Sequence, residues 1–213
     1  MGCGWKPPYP VDMRLFTGVE VINGGRIMLS SADFWDRAVA ARVRLTAIGG
    51  GDNHNAPAPP NQAGAIGAPT TVVEAAELSV PAILEGIRKG RVFIDLTGSR
   101  DKQVDIEAYD SSLPGQEHVR MGGVLQAPAG HSASFVVHAA ACPRATVHLF
   151  LDGRESPSLG PPSTSLGDED LSFAWTSDGK AHWLRAEVRD SNGSLMLVSN
   201  PVYINFSSVE KAQ

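Results

Sequence analysis

The chain has 213 residues, 42% of them hydrophobic and 19% charged, with a formal net charge of −5. That length holds one large domain or two small ones, and a buried core is within reach. Acidic and basic residues are mixed along the chain, so the sequence shows no electrostatic footprint for nucleic acid or an anionic membrane, and a small molecule or a protein is the expected partner.

The opening residues are rich in Gly and Pro, carry Trp5 and Tyr9, and read as irregular structure. They lack the apolar stretch of a signal peptide, and nowhere do about 18 uninterrupted apolar residues suggest a membrane span, so a cytoplasmic location is expected. Cys3 and Cys142 stand apart from each other and from any His, so neither a zinc knuckle nor a disulfide framework is indicated, and a bridge between them stays open.

A β-branched run at 19–22, closed by Asn23-Gly24-Gly25, predicts a buried strand. Glu20 is its polar outlier and reads as rim-exposed or paired. Ser30 or Ser31 can cap a following helix, along which Trp35, Ala38, Val39 and Arg42 fall at helical spacing. Residues 45–48 return as a strand, giving one βαβ unit that should be parallel and right-handed. The Gly-Gly-Gly-Asp-Asn-His-Asn stretch at 49–55 follows directly, so Asp52 and His54 should emerge from a strand end. If the backbone stays extended, Asp52 and His54 face the same way and suit a shared Zn, Mn or Fe ion.

Residues 56–68 show no periodicity and read as a long loop. A strand at 70–73 precedes a helix capped by Ser79, with Pro81 in its first turn, Ile83, Leu84 and Ile87 as its buried stripe, and Lys89-Gly90 as its stop; a strand at 91–96 comes next. After 101 helical spacing disappears and short alternating runs take over, which places a domain boundary between 101 and 102. Runs at 104–109, 124–127, 134–139, 146–151, 171–175, 182–189 and 195–204 are the strands of an expected antiparallel sandwich, with Asp152-Gly153 and Asn192-Gly193 as turns. Along 182–189, Leu184, Ala186 and Val188 should face the core and Arg185, Glu187 and Arg189 solvent. Asn200-Pro201 interrupts the last run.

His118, His131, His138, His148 and His182 have no carboxylate two or four residues away that shares a face, and read as polar positions on half-exposed strands. No Lys-Ser/Thr follows the three glycines, no Gly-x-Gly-x-x-Gly opens a helix and no Gly-x-Ser-x-Gly elbow exists, so phosphate cradles and serine nucleophiles are set aside.

The stretches Gly18–Gly24, Phe34-Trp35-Asp36, the Asp52-x-His54 loop, residues 66–71, 83–93, 184–189 and 199–204 together resemble the later part of a PHP (polymerase and histidinol phosphatase) domain, in its carbaryl-hydrolase-like branch. The resemblance implies an α/β plus all-β protein: the C-terminal part of a (β/α) PHP-type barrel at 1–101 and a small antiparallel β-sandwich accessory domain at 102–213. It implies Asp52 and His54 as ligands of divalent metal, with Glu20, Asn23 and Asn55 at the pocket rim, and a metal-activated water attacking a phosphoester, carbamate or related small-molecule ester. The family's opening His-x-His and its other ligands have no counterpart before His54, and the α/β part is far below the roughly 200 residues of a closed barrel. The expectation is therefore a truncated chain of weak or no hydrolase activity that self-associates through exposed barrel strand edges. The alternative is a non-catalytic binding or assembly module carried by the β-sandwich.

Overall fold

The structure is a computed structural model that describes residues 12–207 apart from 25, 28, 58, 60, 61, 63, 114, 116, 157, 158, 160–163, 165 and 166. Its first unit is β1 (Gly18–Asn23), the short β2 (Arg26–Ile27), α1 (Leu29–Ala40) and β3 (Thr46–Gly50). Strands β1 and β3 pair in parallel on either side of α1, with a bulge between Glu20 and Ile22, which is the βαβ unit expected from periodicity. Ser30 and Ser31 fall inside α1, and their side chains lie outside the described residues. At its far end Arg42 adopts φ +68, and the bonds from Val43 N–H to the Ala38 carbonyl and Arg42 N–H to the Val39 carbonyl close a Schellman turn without glycine. Arg42 is held there by its guanidinium lying over the Phe206 ring at 4.7 Å.

The next elements are β4 (Thr70–Val73), α2 (Val80–Arg88) and β5 (Val92–Asp95). Ser79 caps α2 by accepting from the Ala82 N–H at 3.3 Å, as expected. The apolar stripe does not bury as expected: Gly86 is the buried residue of α2, and Leu84 stays 43% exposed. A Cβ at Gly86 would lie 2.4 Å from the Glu74 carbonyl oxygen, so the helix rests its glycine on the end of β4, with Ile83 and Ile87 half-buried and Val80 and Leu84 exposed.

The remaining strands are β6 (Gln103–Asp110), β7 (Val119–Arg120), β8 (Val124–Leu125), β9 (Ser132–Ala140), β10 (Thr146–Leu151), β11 (Arg154–Glu155), β12 (Glu169–Thr176), β13 (His182–Arg189), β14 (Leu195–Ser199) and β15 (Val202–Ile204). One sheet runs β11-β10-β13-β14-β5-β4, with β15 pairing β13 and β8; the other runs β12-β9-β6-β7. Between them lies a core that includes Phe135, Ile106, Val137, Leu184, Leu197 and Ile204. The expected division at 101/102 falls between β5 and β6, and β5 is hydrogen-bonded to β14 across it.

The expected partial barrel is absent. A (β/α) barrel requires successive strands to pair in parallel through their helices, whereas β4 and β5, which flank α2, pair antiparallel and extend the sandwich sheet. The described residues form three sheets with two α-helices, a nearly all-β protein built on a sandwich. The PHP-type resemblance is corrected accordingly, and the hydrolase, phosphoesterase and TIM-like barrel labels drawn from it lose their support. No described helix is long and apolar enough to cross a membrane.

Strand β13 shows what the βαβ unit does instead. Leu184, Ala186 and Val188 point into the sandwich as expected, but Arg185 and Glu187 are 6% and 4% exposed rather than solvated. Helix α1 and strands β1 and β3 cover this outer face, building a second core from Val21, Ile22, Trp35, Val39 and Ala47 against Trp183, Val198, Tyr203 and Phe206. Burial of the two charges is tolerated because Arg185 donates to Glu187 at 2.6 Å, Arg189 donates to the other Glu187 oxygen at 2.7 Å, and the Arg185 guanidinium lies over the Phe150 ring at 4.2 Å.

Candidate functional site

The loop after β3 does not have the geometry assumed for a shared metal. Asp52 sits at φ +48, which breaks the extended run. His54 Nδ1 lies 2.7 Å from the backbone carbonyl oxygen of Asp52 and 3.8 Å from its carboxylate, and the two side chains are 83% and 58% exposed. Asn23 donates to Glu20 at 3.3 Å beside Gly50, while Asn55 donates its backbone N–H to Asn53, whose amide donates to the Gly64 carbonyl at 2.8 Å. Among the described residues no hydrogen bond or ion pair joins Asp52 or His54 to Glu20, Asn23 or Asn55. No group of three or more His, Cys, Asp or Glu able to hold a metal ion occurs among the described residues. These polar contacts of Asp52, His54 and Asn55 stay within the turn, and Asn53 ties it to Gly64.

Each of the other histidines meets a carboxylate, and apart from Asp178 these partners lie seven to 32 residues away in the chain. His118 meets Glu107 at 3.0 Å, His131 meets Asp110 at 2.7 Å, His138 meets Asp170 at 2.7 Å and His148 meets Glu155 at 2.6 Å. His182 lies between two carboxylates, with Nδ1 2.5 Å from Asp152 and Nε2 2.9 Å from Asp178. Asp178 is four residues away, which corrects the reading that no such carboxylate shares a face with it. Burial pushes the His182 pKa down, but Asp152 and Asp178 outweigh it and hold the ring above its ordinary value. The Lys180 backbone N–H and His182 bring Asp178 down to about 2. Cys142 is a buried free thiol, pushed up to about 11 by burial, and is unsuited to nucleophilic work; Cys3 lies outside the described residues.

A groove of three adjoining clefts offers the concave surface that the loop does not. The first, of about 330 Å³, opens between β4 and β6, with Val72, Phe93, Val104 and Met121 among its lining and Arg91, Arg100, Lys102 and Arg120 as its cations. It shares Arg91, Arg120 and Met121 with a second cleft of about 450 Å³, which adds Lys89 and His118. That cleft shares Lys89 and Gly122 with a third of about 180 Å³, where Arg44 and Arg88 join. Seven of the chain's 18 Lys and Arg residues line the groove, against three of its 23 Asp and Glu residues, namely Glu74, Asp105 and Glu117.

These cations differ in how far they are neutralised. Arg120 is fixed by Asp105, by Glu74 at 2.7 Å and by Glu107 at 3.8 Å, which makes it a strut between β6 and the end of β4. Arg91 shares Glu74 at 3.9 Å. Arg44 and Arg100 meet no carboxylate within 4 Å among the described residues. Sequence reading missed this site because its charges come from four separated segments, none of which forms a basic run large enough to stand out in the chain. The visible signal was Arg88, Lys89 and Arg91 around the stop of α2, which reads first as compensation of the helix dipole.

Neither a protein-family model nor a curated protein matches the sequence. Among solved structures, the chain is similar to the CARDB domain of a Pyrococcus furiosus protein determined by solution NMR, at 14% identity. The match covers 49% of this chain and 97% of that one with a TM-score of 0.29, too low to carry an argument about fold or function.

Proposed function

We propose that the chain is a non-catalytic binding module in which the β-sandwich docks an acidic polypeptide partner along this groove. The observation that supports the reading is the inversion of charge: a chain of net charge −5 gathers seven cations and three carboxylates into one groove. Val72, Phe93, Val104 and Met121 give the first cleft an apolar lining for a partner side chain, and the cations around it complement carboxylates. Arg100, exposed and without a carboxylate partner among the described residues, is free to engage; Arg120, already held by three carboxylates, keeps the cleft in shape.

The test is a calorimetric titration with poly-L-glutamate at low ionic strength. Binding should weaken about tenfold or more in a variant carrying Arg100→Glu and Lys102→Glu, and should weaken as salt rises toward a Debye length of about 8 Å. Binding indifferent to both changes, or no binding by the unaltered protein, defeats the reading.

A further inference from the structure

We infer that the smallest of the three clefts is a subsite for a doubly charged oxyanion, with phosphate-monoester chemistry as its class of ligand; this rests on the binding-module reading and specifies one anchor within it. The cleft is lined by Arg44, Arg88 and Lys89 and by no carboxylate, with Thr46, Tyr203 and two glycines completing it. Glu85 is the nearby counter-charge, shared at 3.9 Å by Arg88 and at 3.3 Å by Lys89. Three cations set against one carboxylate leave a surplus of two positive charges, matching a phosphate monoester of about −1.5 to −2 at neutral pH.

Its walls are fixed independently of any ligand. Thr46 donates its hydroxyl to the Ile87 carbonyl at 2.6 Å, tying β3 to the end of α2. Gly122 donates its N–H to the Pro201 carbonyl at 2.8 Å, and its own carbonyl accepts from Arg44 at 3.4 Å. Arg44 also lies over the Tyr203 ring, 5.5 Å from its centroid, so its guanidinium is oriented before an anion arrives. Gly90 and Gly122 adopt φ +71 and +79 and meet so closely that a Cβ on Gly122 would sit 1.6 Å from the Lys89 carbonyl oxygen. Side chains there would close the cleft. Compensation of the helix dipole accounts for Arg88 and Lys89 by themselves, but not for Arg44, which reaches the same volume from the loop before β3.

The experiment titrates the whole chain with inorganic phosphate, and with sodium chloride at matched ionic strength, following backbone amide shifts and the thermal midpoint. Phosphate should shift the amides of Gly90 and Gly122 saturably and raise the midpoint, chloride should do neither, and Arg88→Gln with Lys89→Gln should weaken phosphate about tenfold while leaving the fold's spectrum intact. Arg44→Gln serves as a second variant on a different segment, with the same weakening expected. Equal responses to phosphate and chloride, or undiminished phosphate binding in both variants, overturn the subsite. Poly-L-glutamate run on the same samples separates the two ideas: polyglutamate bound without phosphate removes the subsite and keeps the binding module, whereas neither bound removes both. A phosphorylated peptide that binds no more tightly than inorganic phosphate assigns the subsite to small phosphate compounds rather than to a polypeptide.

Discussion

The side-chain amide of Asn200 spans the backbone of Ala47, its Oδ1 accepting the Ala47 N–H at 2.7 Å and its Nδ2 donating to the Ala47 carbonyl at 2.9 Å. The same Nδ2 donates to the Val92 carbonyl at 2.8 Å, so one buried side chain joins the parallel unit to the sandwich sheet at a point where no strand ladder connects them. Asn200→Ala leaves the Ala47 N–H and carbonyl buried without this partner. A loss of about 2–4 kcal/mol is expected from the two orphaned groups. Urea unfolding monitored by tryptophan fluorescence measures it, and a loss under about 1 kcal/mol would mean that the junction is held mainly by apolar burial.

Arg185 is a further contact between the two units: buried and paired with Glu187, it lies 5.5 Å from the centroid of the Trp35 ring on α1. Arg185→Ala should cost about 1.5–3 kcal/mol, because it removes one of the two arginine partners of the buried Glu187 carboxylate and leaves Arg189 as the other. Replacing both partners, as Arg185→Met with Glu187→Leu, should recover most of that loss. Thermal unfolding of the single and double variants decides the matter; a single variant as stable as the parent shows that water reaches this face.

The dependence of stability on pH should fall at both ends of the range. Burial raises the Asp95 carboxyl, but Thr97 and Ser99 each donate a hydroxyl and a backbone N–H to it at 2.7–2.8 Å, and together they hold it below the ordinary carboxylate value. A depressed carboxylate contributes stability that is complete above the unfolded value of about 3.9 and is lost as pH falls through the lower folded value. His182 is raised, so its contribution is complete below the unfolded value of about 6.5 and is lost as pH rises through the folded one. Chemical unfolding measured from pH 2 to pH 9 should show both slopes. Asp95→Asn should flatten the acid slope and His182→Gln the alkaline one; a parent slope unchanged by its own substitution refutes that assignment.

Gly122 carries the closest backbone approach in the groove, with a Cβ position 1.6 Å from the Lys89 carbonyl oxygen and φ +79. Gly122→Ala combines left-handed strain with a forced shift of the turn between β7 and β8. A destabilisation of about 2–4 kcal/mol is expected. Gly193→Ala, also at positive φ but with nothing within 4 Å, isolates the strain and should cost about 1 kcal/mol. Comparable losses for the two would show that the turn moves freely.

The sequence by itself determined the local elements. Alternation placed β10 and β13 at their observed bounds, Ser79 and Lys89-Gly90 bounded α2, and the interruption at Asn200-Pro201 separates β14 from β15. Those signals are local: a cap, a period or a turn depends on residues within a few positions. Strand-helix-strand order was equally legible at 18–50 and 70–95, but order does not encode direction of pairing. The parallel pairing of β1 and β3 holds as expected, whereas tertiary structure decided that β4 and β5 pair antiparallel and join the sandwich, which turned an expected barrel into a covering layer. It also decided that Arg185 and Glu187, alternating like solvent-facing residues, lie under α1, and that Arg44, Arg91, Arg100 and Arg120 share one groove. Burial and charge clustering depend on which surfaces meet, and those surfaces belong to segments as far apart as Ala47 and Asn200.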